Sequence, residues 1–151
     1  MFVDLSVPVN AQTPVYPGDP ATKIEPAGTI ERDGYTDHYI SLATHVGTHI
    51  DAPLHMIAGG KTLDQFEVNR FVGRGRYIKV EGDKFSLEAV RQADIQAGDI
   101  VLFHTGWSSK YHETAYFEDY QALPKKLRSI WLKNRSVWRG LICAVLTMNR
   151  F

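Results

Sequence analysis

The stretch His45-Val46-Gly47-Thr48-His49-Ile50-Asp51-Ala52-Pro53-Leu54-His55 decides how this chain is read. It gathers three of the six histidines and an aspartate at offsets of 0, 4, 6 and 10 from His45, all even. On an extended backbone side chains alternate with period two, so all four would leave from one face. His45 and His49 would also share a helix face at i, i+4. Gly47, Pro53 and the β-branched neighbours favour the extended form. Imidazole and carboxylate are the usual zinc ligands and also suit manganese or iron. His45, His49 and Asp51 are therefore expected to hold a divalent ion with positions left open for water. Such an ion lowers the pKa of bound water to about 7. His55, one step further along, is placed to carry the proton. A lone histidine is more often structural than functional, and His38, His104 and His112 are read that way.

Outward from this segment, strand character runs over residues 39–50 through Tyr39, Ile40, Leu42, Thr44, Val46, Thr48 and Ile50. Residues 14–20 hold three prolines and Gly18, the composition of a shaped loop. Residues 2–7 alternate well enough for a strand that Pro8 ends. On the other side, Pro53 and then Gly59-Gly60 break regular structure. Tyr77-Ile78-Lys79-Val80 predicts a short strand closed by Gly82. Ser86 is an N-cap before a helix over residues 87–92. Residues 95–98 predict a turn, and Ile100-Val101-Leu102-Phe103 a buried strand. Strands dominate, with a few helices between them, and no internal repeat interrupts the order.

The chain has 151 residues, 44% of them hydrophobic and 23% charged, which suits a single globular domain. A chain of this length buries roughly 70% of its unfolded surface on folding. Zero formal net charge argues against nucleic acid or membrane as a partner of the whole chain. The lone cysteine, Cys143, excludes an intrachain disulfide. The start lacks a basic region followed by an apolar one, and the apolar stretch Leu141 to Leu146 is far too short to span a bilayer. A cytoplasmic protein with a small-molecule substrate is expected.

The segment His45 to His55 matches the H-x-G-T-H-x-D-x-P-x-H signature of the cyclase family of metal-dependent hydrolases, which includes bacterial kynurenine formamidase. Asp4-Leu5-Ser6 and Tyr16-Pro17-Gly18-Asp19 resemble the family's opening motifs. Gly59-Gly60-Lys61-Thr62-Leu63-Asp64 resembles the segment after the signature, and residues 98–107 resemble its later strand and turn. The resemblance covers about residues 2–124. It implies an α/β fold, strand-rich, of the swivelling β/β/α cyclase type, usually assembled as a homodimer. It implies hydrolysis of N-formylkynurenine to kynurenine and formate in tryptophan catabolism, usually with two zinc ions. Carried over, His45, His49 and Asp51 bind one metal, Asp51 bridges to a second, and His55 is the acid/base. Tyr16 stands where kynurenine formamidases commonly place a substrate-stacking tryptophan, so it becomes the substrate-binding candidate. Relatives act on other amides and lactams, isatin among them, and some use manganese. No serine sits in a nucleophile-elbow motif, so a serine hydrolase has little support.

Composition changes abruptly after Pro124. All 17 acidic residues precede residue 120, whereas residues 125–151 carry seven of the 17 Lys and Arg, with Trp131 and Trp138. The expected organisation is a cyclase-like metal-hydrolase domain over 1–124, its C-terminal part missing, and an atypical basic tail over 125–151. The family's further His and Glu ligands have no match in this chain. Read one base out of frame with synonymous codons chosen freely, the tail gives E-E-I-A-E-Y-M-A-E-K-Q and V-E-G-V-D-M-C-S-V-D-H-E-P, which look like the family's next helix and strand. A frameshift is the expectation there. The rival is a basic amphipathic tail that binds an anionic surface. A shortened family member without activity is the alternative to an active hydrolase.

Overall fold

The computed structural model describes residues 4–80, 82, 85–118, 120, 123–124 and 144–146. Contacts divide the chain into two compact units, residues 1–49 and 50–151.

In the first unit, β1 (Lys23–Gly28) and β2 (Asp37–Ser41) pair antiparallel, with Ile24 opposite Ile40 and Glu25 opposite Tyr39. The register slips between Pro26 and Gly28, where proline offers no amide to the ladder. A single-turn helix, α1 (Ile30–Asp33), joins the strands. Its ends are closed locally: the Thr29 side chain accepts from the Arg32 amide, and Asp33 Oδ2 accepts from the Thr29 amide at 2.9 Å. Gly28 lies against the Tyr35 ring, where an added Cβ would meet Cε2 at 2.6 Å. Upstream, the loop expected over residues 14–20 contains a turn at Tyr16-Pro17-Gly18-Asp19. The Asp19 amide donates to the Tyr16 carbonyl at 2.9 Å, with Gly18 at φ 97°.

Two expectations for this unit need correction. Residues 4–9 form no strand. The Ser6 amide donates to Asp4 Oδ1 and the Val7 amide to Thr48 Oγ1, so side-chain acceptors take the amides a ladder would use. The extended run predicted to Ile50 stops at Ser41, and residues 44–48 bend. Within that bend Gly47 has a φ of 66°, left-handed and incompatible with an extended strand.

The second unit is built on a parallel sheet ordered β3 (Gly75–Lys79), β4 (Ile100–His104), β5 (Ala144–Leu146). The predicted helix, α2 (Leu87–Gln92), lies between β3 and β4 in the chain, as a parallel pair requires. Ser86 caps it, its hydroxyl accepting from the Ala89 amide at 3.2 Å. The core is Ile78, Val101 and Phe103 from the strands, Val80 just past β3, and Val90 from α2. Phe103 is 1% exposed and meets the Phe85 ring edge-on at 5.3 Å. Burial alternates along β4, so Leu102 and His104 face away from that core. Asp99, just before β4, is buried and bonded to both Arg74 and Arg76 and to the Gln96 amide. It fixes the start of β4 to the start of β3.

Single 3-10 turns at Pro53–His55, Leu63–Gln65, Val68–Phe71 and Trp107–Lys110, with α3 (Ala115–Glu118), complete the described residues. Thr62 and Gln65 form a reciprocal capping box around the second of these turns. The expected basic tail falls outside the described residues except for the three residues of β5. Among the described residues no helix is long and apolar enough to cross a membrane.

Candidate metal centre

The histidine–aspartate segment begins four residues after β2 and runs through the bend at Gly47. Val46 is buried and anchors the bend, while His49 and Asp51 stay exposed on either side of Ile50. Gly47 fits closely here, because a Cβ would stand 3.1 Å from Val9 Cγ2. The Thr48 hydroxyl accepts from the Val7 amide at 3.0 Å, which ties the bend to the opening segment.

The bend turns His45 and His49 toward each other. His49 Nε2 lies 2.6 Å from His45 Nδ1, and the ring planes are 72° apart. The other nitrogen of His49, Nδ1, lies 2.8 Å from the Gly47 carbonyl oxygen. Ligand atoms of His45, His49 and Asp51 all lie within 4.8 Å of one another, a group able to hold a metal ion. Two imidazoles and a carboxylate suit zinc, and also manganese. The predicted ligand residues therefore converge, but through a left-handed bend rather than along one face of a strand.

His55 ends the 3-10 turn Pro53–His55, where two-residue alternation does not apply. It is exposed and stands outside the group of three. Tyr16 opens the Tyr16–Asp19 turn and is 50% exposed. His38 lies in β2 opposite Pro26, and the His112 ring packs 5.1 Å from that of Tyr111. His104 has a partner that its reading as an isolated histidine missed. Its Nδ1 lies 2.6 Å from the Tyr77 hydroxyl, and both residues lie on the sheet face opposite the core. Strand alternation carried the signal, since the burial of Ile78 and Phe103 puts Tyr77 and His104 on the other face.

The family model Cyclase ("Putative cyclase") matches residues 3–141. The chain belongs to this family. Among cyclase-family proteins, it is 33% identical over 108 residues to the kynurenine formamidase of Salinibacter ruber, which covers 69% of this chain and 51% of that protein. It also resembles the crystal structure of an isatin hydrolase bound to the product analogue thioisatinate. There the identity is 25% and the TM-score 0.61, over 78% of this chain and 54% of the other. A structure described as a potential metal-dependent hydrolase with cyclase activity is 29% identical with a TM-score of 0.54, over 82% and 55%. The chain spans about half the length of the curated relatives it matches. The mixed α/β architecture agrees with these cyclase-family neighbours.

Proposed function

We propose that this cyclase-family chain serves a metal-dependent hydrolase that cleaves an aryl formamide, N-formylkynurenine first among them, to the free amine and formate. One observation carries the reading: His45, His49 and Asp51 bring their ligand atoms within 4.8 Å of one another in a family whose relatives include kynurenine formamidases.

When bound, a divalent ion would supply Lewis acidity toward the carbonyl and a nucleophilic water at neutral pH. The chain's own residues supply the rest. His45, His49 and Asp51 hold the ion, zinc first and manganese second. The reaction forms a C–O bond from water and breaks the formyl C–N bond. The departing nitrogen needs a proton, and His55 is the residue we assign to deliver it. Tyr16, half exposed beside its turn, offers an aromatic face for stacking on an aryl substrate.

A lactam such as isatin is the second reading, favoured by the likeness to the isatin hydrolase. Opening that ring breaks the same kind of bond, a carbonyl C–N bond. Formate release from N-formylkynurenine and ring opening of isatin, each assayed with zinc or manganese and with EDTA, separate the two. Turnover of neither by metal-loaded, folded protein would leave a metal-binding relative without this activity.

A further inference from the structure

A carbonyl oxygen can only accept a hydrogen bond. Gly47 O lies 2.8 Å from His49 Nδ1, so that nitrogen carries the proton. In the neutral ring Nε2 is then the lone pair. The same Nε2 lies 2.6 Å from His45 Nδ1. With His49 Nε2 as acceptor, the proton of that contact belongs to His45 Nδ1. The two rings thus face the ligand position through unlike nitrogens. A turn places the Gly47 carbonyl where it does this, and the turn needs a φ of 66°.

We infer that the Gly47 carbonyl is a positioning group that locks His49 in the Nδ1–H form, so that His49 ligates through Nε2 and His45 through Nδ1. The inference rests on the metal reading proposed above. It carries a consequence specific to each ring. His49 keeps one tautomer with and without metal. His45 must exchange its Nδ1–H for Nε2–H when the ion arrives, a change of tautomer with no change of charge. Main-chain partners of ligating imidazoles commonly fix ring orientation in this way, and losing one costs about 10–100-fold in metal affinity.

The test is two-bond 1H–15N correlation spectroscopy of the full chain labelled at histidine, without and with one equivalent of Zn2+. We expect His49 to show a protonated Nδ1 in both states, and His45 to move its proton from Nδ1 to Nε2. Ligation of both rings through the same nitrogen would overturn this inference and leave the metal centre intact. Imidazole nitrogens that do not respond to Zn2+ would overturn the metal reading together with it. Substitution at Gly47 separates backbone conformation from space. Asn tolerates the left-handed region better than Ala although it is larger. Gly47→Asn should keep Zn2+ affinity within about threefold, whereas Gly47→Ala should weaken it by about tenfold or more. The reverse order would show that space, not the carbonyl's direction, matters. If circular dichroism shows Gly47→Ala unfolded, the labelled wild-type chain decides the question.

Discussion

His49 Nε2 stands 2.6 Å from His45 Nδ1, and the two rings meet edge to face. This contact between residues four apart brings two imidazoles to one point, and Asp51 adds a carboxylate within 4.8 Å. Removing one of the three should abolish tight metal binding without unfolding the chain, because His49 and Asp51 are exposed. We expect His49→Ala and Asp51→Asn each to weaken Zn2+ binding by more than about a hundredfold. Competition with a chromophoric chelator measures this. Stoichiometric zinc retained by both variants would place the metal elsewhere.

His55 should behave in the opposite way. It ends a separate 3-10 turn and lies outside the three-residue ligand group. His55→Gln is expected to keep metal content while lowering kcat by about 10²- to 10⁴-fold, the usual contribution of a positioned acid/base. Metal loss in this variant, measured by elemental analysis, would make His55 a ligand instead.

Much of the candidate site was legible in the residues, and its backbone shape was not. Even offsets from His45 to His55 fit an extended strand, but a separation of four between His45 and His49 also fits a tight bend. Gly47 was the discriminating residue, since a left-handed φ there excludes the strand. Local signals read correctly where the physics is local: the Ser86 cap, the proline-rich loop over residues 14–20 and the apolar run entering β4. The β1–β2 hairpin was only half foreseen. Strand character was legible over the end of β2, at Tyr39–Ser41, but β1 and its pairing were not, because Pro26 interrupts β1 and every residue of β2 is exposed. The bonds between Asp99 and Arg74 and Arg76 span more than twenty residues, beyond any local pattern.

That network makes a pH prediction. The Arg74 guanidinium bonded to Asp99 is the largest cause holding the Asp99 carboxyl well below the usual carboxylate range, and bonds from the Gln96 amide and Arg76 add to it. A carboxylate whose pKa is lower folded than unfolded contributes stability that is complete above its unfolded pKa, about 3.9. The contribution is lost as pH falls from there through the folded value. Asp99→Asn should therefore destabilise the protein at pH 7, by about 2 kcal/mol given partly exposed arginine partners. Its denaturation midpoint should also fall less steeply below pH 4 than that of the wild type. Parallel acid limbs for the two proteins would show that this carboxylate does not couple folding to pH.

Tyr16 tests the substrate assignment rather than the metal. It is half exposed at the start of a hydrogen-bonded turn, so its replacement should leave folding and metal content unchanged. If the ring stacks on an aryl group, Tyr16→Ala should raise KM for N-formylkynurenine by about 5- to 10-fold, the equivalent of about 1–1.5 kcal/mol for an aromatic pair. Tyr16→Phe should leave KM close to wild type, because stacking uses the ring and not the hydroxyl. Tyr16→Trp should do the same or lower KM, as it enlarges the stacking face. If Phe loses as much as Ala, the hydroxyl is the working group, and Tyr16 would be a hydrogen-bonding residue rather than a stacking platform.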